Sequence, residues 1–85
     1  MNVSVRLFAR AKDLAGSDAV QVALPAGATV GDLRRKLQDD WPRLAELLPR
    51  CAIAVGGEFA GDTTPLEPDQ EVAVLPPVSG GSVVE

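Results

Sequence analysis

A chain of 85 residues with 46% apolar content is long enough for one small packed domain and too apolar for a disordered one. One cysteine and no histidine exclude an intramolecular disulfide and the zinc sites and nucleophile pairs that need histidine. A formal net charge of −4 disfavours nucleic acid and suits a basic protein partner.

"NVSVRLF", residues 2–8, alternates with the period of a half-buried strand. Val3, Val5 and Leu7 share one face; Asn2, Ser4, Arg6 and Phe8 share the other. "ARAKDLAG" reads as a short helical turn closed by Gly16, because glycine readily takes the left-handed conformation past a helix end. "AVQVAL", residues 19–24, alternates again with Val20, Val22 and Leu24 inward, and pairs with the first strand as a wide hairpin. "PAGAT" is a turn in which Thr29 is a good N-cap, with Asp32 completing a variant capping box. Val30, Leu33, Leu37 and Trp41 then recur at helical spacing as one buried stripe. Pro42 ends this helix at about Asp40, since the residue before a proline is pushed out of helical geometry.

On that helix Arg34-Arg35-Lys36 is the basic cluster, and it reads as a solvated face. "PRLAELLP" adds one further short turn, with Leu44, Leu47 and Leu48 covering the end of the sheet. "CAIAV" is a strand with Cys51, Ile53 and Val55 on one face, and Cys51 reads as a small core residue rather than a nucleophile. Gly56-Gly57 followed by "EFA" is a hairpin turn, and "TTPLEPDQ" is loop. In the last strand, "EVAVL", Val72 and Val74 point inward while Glu71, Ala73 and Leu75 point outward. The order is β-β-α-β-β around one main helix at about 30–40. That makes an α+β fold with a mixed sheet covered on one side, the β-grasp arrangement, over residues 1–75. Residues 76–85 are expected to form a flexible tail. The stretch 51–55 is too short to cross a membrane, so no membrane contact is expected. "MNVSVRLF" carries no basic or long apolar leader, so the expected location is cytoplasmic.

Two features point to function. Phe8 and Leu75 share the uncovered face and are expected to form an apolar docking patch, which Phe59 would extend if its parity allows. Beyond the last strand the chain reads "VAVLPPVSGGSVVE". Pro76 and Pro77 stiffen the exit, and the small residues after them suit a narrow channel in a partner. A diglycine alone is weak evidence, because Gly56-Gly57 is already a turn.

Three stretches, "VRLFARAKDLAG", "GATVGDLRRKL" and above all "VAVLPPVSGG", make the chain similar to the small sulfur-carrying subunits of molybdopterin synthase. These are ubiquitin-like proteins related to the thiamin sulfur carriers, and the resemblance runs over residues 1–81. It implies that the first and last strands lie side by side and that Gly81 is the chemical site. An E1-like enzyme would use ATP to adenylate the Gly81 carboxylate, and sulfur would then replace AMP to give a thiocarboxylate. Phe8, Leu75, Pro76, Pro77, Val78, Ser79 and Gly80 would engage the large synthase subunit. There the carrier would give its sulfur to a cyclic pyranopterin phosphate on the way to the molybdenum cofactor. Such a carrier binds no cofactor and is not catalytic alone. The pattern departs from the family at "SVVE", which locks Gly81 in a peptide bond. A protease that trims a precursor would restore the carboxylate. Three other readings stay open: a ubiquitin-like modifier, a thiamin-type carrier, and a β-grasp interaction module without carrier chemistry.

Overall fold

The computed structural model describes residues 1–77. The predicted tail residues Val78, Ser79, Gly80 and Gly81, and residues 82–85, lie outside them. The elements run β1 (Asn2–Leu7), α1 (Ala9–Ala15), β2 (Ala19–Ala23), α2 (Val30–Asp40), two 3-10 turns (Pro42–Leu44 and Leu48–Arg50), β3 (Ala52–Val55), β4 (Glu58–Ala60) and β5 (Glu71–Leu75). They form a five-stranded sheet of order β2-β1-β5-β3-β4. β1 and β5 are parallel, and the other neighbours are antiparallel. This is the mixed β-grasp sheet, with the first and last strands adjacent at its centre. "EFA" adds a fifth strand to the expected order, and "PRLAELLP" makes two 3-10 turns where one turn was expected.

Local signals account for α2. The N–H groups of Thr29, Val30, Gly31 and Asp32 have no partner one turn back in the helix, and each finds another acceptor. Val30 donates to the Thr64 carbonyl and Gly31 to the Asp62 carbonyl, both at 2.9 Å. Asp32 donates to Thr29 Oγ1 at 3.3 Å, and Leu33 makes the first regular helical bond, to the Thr29 carbonyl at 3.0 Å. The Asp32 carboxylate accepts in return from the Thr29 N–H at 2.9 Å, which closes the capping box. That bond is the chief reason the Asp32 carboxyl sits below its ordinary value; partial burial opposes it and Arg35 adds to it. At the far end the Trp41 N–H bonds the Leu37 carbonyl just before Pro42.

Residues 62–70, of which "TTPLEPDQ" is expected to be only a loop, form a strap over the start of α2. Leu66 is 3% exposed, and its N–H donates to the Ala28 carbonyl at 2.8 Å. The strap lies so close that a Cβ on Gly31 would meet the Asp62 carbonyl oxygen at 3.2 Å and the Asp62 Cβ at 3.3 Å.

The core holds Val3, Val5, Leu7, Val22, Val30, Leu33, Leu37, Leu44, Leu48, Ile53, Val72 and Val74, each at or below 1% exposure. Three residues expected inside are half-buried instead: Val20, Trp41 and Val55 pack at its margin. Val20 sits on the edge strand β2, with a strand neighbour on one side only, and Trp41 sits at the C-cap of α2.

Arg34 corrects the expectation of a solvated basic face. Its side chain is 17% exposed and pairs with Asp62 at 3.2 Å. One of its terminal nitrogens donates to the carbonyls of Leu48 and Cys51, so a single guanidinium ties α2 to the strap and to the entry of β3. Arg35 and Lys36 pair on the helix surface with Asp32 and Asp40.

Candidate functional site

Where β1 and β5 finish, the covered and open sides of the sheet can be compared residue by residue. The parallel register pairs Leu7 with Val74, so Phe8 and Leu75 follow at adjacent strand ends. Phe8 keeps extended dihedrals (φ −126°, ψ 155°) before Ala9 takes a left-handed φ of 51° and turns the chain into α1. The alternation of β1 therefore carries through Phe8, which falls on the open face, 40% exposed. The Arg6 guanidinium on that same face lies 5.9 Å from the centre of the Phe8 ring. Leu75 is half-buried there, across from Ala52 of β3.

The open face continues across the sheet. Ala73 faces Arg6 on one side and Ala54 on the other, and Ala54 faces Phe59 of β4. Phe59 is 77% exposed, so its parity is outward. Ala52, Ala54 and Ala73 make a low floor between the two aromatic rings. The rings lie toward opposite sides of the patch, and a partner surface that meets both must cross β5, the strand from which the tail leaves. The sequence carries the signal for the floor in the alternating alanines of "CAIAV" and "EVAVL". Phe59 follows two glycines with positive φ, 60° and 87°, and only the turn they make sets which way it points.

Pro76 is half-buried and Pro77 exposed just past β5. Neither has an N–H to offer a neighbouring strand, so the chain leaves the sheet here. Gly80 and Gly81, the predicted chemical terminus, fall outside the described residues, as do Val78 and Ser79.

The described residues offer little acid–base chemistry. Cys51 is 6% exposed and its thiol donates to the Leu47 carbonyl at 3.3 Å. Burial pushes that thiol up, against the opposing pull of Arg34 and Arg50. It is a structural cysteine. Among the described residues no cluster of His, Cys, Asp and Glu is arranged to hold a metal ion, and no helix is long and apolar enough to cross a membrane. A docking face beside a departing tail is what remains.

Comparison with known proteins gives this geometry a family. The ThiS family pattern matches residues 5–81. The molybdopterin synthase sulfur carrier subunit of Caenorhabditis briggsae is 36% identical over 83 residues, covering 95% of this chain and 99% of that one. The crystal structure of SAMP1 from Haloferax volcanii superposes with a TM-score of 0.84 at 32% identity, over 95% of this chain and 100% of that one. A solved complex of subunits 1 and 2 of the molybdopterin-converting factor of Helicobacter pylori contains a chain 32% identical, with a TM-score of 0.70 over 95% of this chain and 100% of that one. With its five-stranded β-grasp sheet and a family match that reaches Gly81, the chain belongs to the ThiS family of ubiquitin-like sulfur carriers.

Proposed function

We propose that the chain is the sulfur-carrier subunit of a molybdopterin synthase and that Gly81 is its working terminus. The observation that carries this reading is the tail exit. β5 ends at Leu75 in the middle of the sheet, next to Phe8, and the chain continues through Pro76 and Pro77 toward the diglycine. A partner that docks on Phe8, Leu75 and Phe59 straddles the strand from which the tail departs. The large synthase subunit is that partner, a reading supported by the Helicobacter pylori complex of the two factor subunits.

The chemistry proceeds at the carboxylate, with no acid–base group from the carrier. A protease first cleaves after Gly81 and releases "SVVE". The freed carboxylate attacks the α-phosphorus of ATP on an E1-like enzyme and expels pyrophosphate. A sulfur nucleophile then attacks the acyl carbon and displaces AMP, leaving a thiocarboxylate. In the large subunit the thiocarboxylate sulfur attacks a side-chain carbon of the cyclic pyranopterin phosphate and displaces an oxygen substituent there. Water then cleaves the acyl–sulfur bond, which leaves the sulfur on the substrate and returns the carboxylate. Two charged carriers supply two sulfurs. The carrier's own contribution is positioning.

Reconstitution tests this directly. A chain ending at Gly81, incubated with ATP, a sulfur donor and the activating enzyme of the same organism, forms the acyl adenylate and then the thiocarboxylate. The 85-residue chain forms neither until it is trimmed. Sulfur loading of the untrimmed chain with residues 82–85 still attached would contradict the mechanism. A second reading, a protein modifier joined to lysines through Gly81, is favoured by the likeness to the small archaeal modifier protein 1 of Haloferax volcanii. It differs in the acceptor: lysine conjugates of the chain in cell extracts, in place of molybdopterin formation, would select it.

A further inference from the structure

The basic residues of this acidic chain divide into two sets. Arg6, Arg34, Arg35 and Lys36 are all in ion pairs. Arg10, Lys12, Arg43 and Arg50 have no carboxylate within ion-pair distance among the described residues. Three of these four converge. Arg10 of α1, Arg43 of the first 3-10 turn and Arg50 of the second line one cleft of about 230 Å³ together with Glu46, Leu14 and Leu47. The two leucines are half-buried and the four charged residues exposed.

The cleft lies at the tail-exit end. Arg10 comes just after Phe8, and Arg50 just before β3, whose Ala52 pairs with Leu75. It belongs to the helix and turn layer, whereas Phe8, Leu75 and Phe59 belong to the open face of the sheet. A protein that surrounds the exit meets both surfaces. We propose that this arginine cleft is a second docking element that takes an acidic segment, an Asp or Glu flanked by aliphatic side chains, of the protein receiving the tail. That the owner of the segment is the tail's receiver rests on the carrier function proposed above; the chemistry of the cleft does not.

Charge and shape both favour this occupant. The chain as a whole repels acidic surfaces, so an acidic partner finds its local attraction where unpaired guanidinium groups gather. Arginine forks match carboxylates with two parallel hydrogen bonds. The leucines give aliphatic neighbours something to cover. Glu46 in the lining works against a multiply charged phosphate.

The test uses the full 85-residue chain labelled with nitrogen-15 and titrated with acetyl-Leu-Asp-Glu-Leu-amide. Its amide counterpart, acetyl-Leu-Asn-Gln-Leu-amide, and inorganic phosphate serve as controls. The acidic peptide is expected to shift the backbone amides of Arg10, Leu14, Arg43, Leu47 and Arg50. The neutral peptide should bind about tenfold more weakly, and raising ionic strength from about 0.05 to about 0.5 M should weaken the acidic one similarly. Arg43→Gln with Arg50→Gln should abolish the shifts while leaving the thermal unfolding midpoint in place. An undisturbed cleft overturns the proposal, as does phosphate binding there as well as the peptide does. Binding of the large synthase subunit adds a second readout. The same double variant should raise its Kd about tenfold and flatten its salt dependence, whereas Phe8→Glu should act by removing apolar contact. Should the large subunit ignore even the wild-type chain, the carrier reading fails, and the peptide titration still judges the cleft.

Discussion

On the covered side of the sheet, Val3, Val5, Leu7, Ile53, Val72 and Val74 are each at or below 1% exposure; on the open side, Phe8 is 40% and Phe59 77% exposed. Phe8 directly follows Leu7 of β1, one residue apart on the opposite side, and Phe59 stands on β4 beside Ala54 of β3. Side chains under α2 and its flanking turns hold the fold, and their alternates are free to meet another protein. The difference teaches that stability and recognition can be changed separately in this chain, and substitutions on the two sides should show it.

Leu37→Ala strikes the covered side hardest. The side chain is wholly buried, so truncation should cost about 2–5 kcal/mol in chemical denaturation; a cost near zero would mean the register of α2 is wrong. Arg34→Ala comes next. It strips a donor from the Leu48 and Cys51 carbonyls and a partner from Asp62, for an expected loss of about 1–3 kcal/mol. Replacement of a surface residue without such contacts would cost much less.

Thr29→Ala removes one half of the capping box and should cost about 1 kcal/mol. Asp32→Asn removes the other half and makes the effect depend on pH. The Asp32 carboxyl titrates lower in the folded chain than in the unfolded one, chiefly through the Thr29 N–H. Its stabilisation is therefore complete above the unfolded value and is lost as pH falls through the folded one. Denaturation of wild type and Asp32→Asn should differ at neutral pH and converge in acid. A gap that stays constant with pH would contradict the role given to this carboxylate.

On the open side, Phe59→Ser should change stability by no more than about 0.5 kcal/mol, yet weaken binding to the large subunit. Phe8→Glu should do the same, with a somewhat larger loss of binding because Phe8 lies nearer the tail exit. Unfolding caused by Phe8→Glu would place that ring in the core and erase the contrast between the two faces.

Local chemistry made much of this fold legible. Thr29, Asp32 and Pro42 sit at the two ends of α2, and the helix begins and stops at those signals. Alternation located β1, β2, β3 and β5, and Gly56-Gly57 located the turn to β4. The parallel pairing of β1 with β5 followed from resemblance, because nothing in either strand names its neighbour. Leu66 was missed because one leucine between prolines has no periodicity, and Arg34 because its partners are distant in sequence. Phe59 was ambiguous for the reason that turn geometry, not strand pattern, sets parity across a two-residue hairpin. The site divides the same way: Phe8 and Leu75 could be read from parity, whereas the arginine cleft needs three separate elements brought together.

On the proposed mechanism this chain works only after Gly81 becomes its terminus and carries sulfur there. The intact mass of the protein isolated from its own cells, during active molybdopterin synthesis, tests that claim most directly. A species lacking residues 82–85 is expected, with a fraction of it heavier by a single sulfur-for-oxygen exchange that hydrolysis removes. A population that retains all 85 residues and never shows that exchange, in cells that make molybdopterin through this chain, would contradict it.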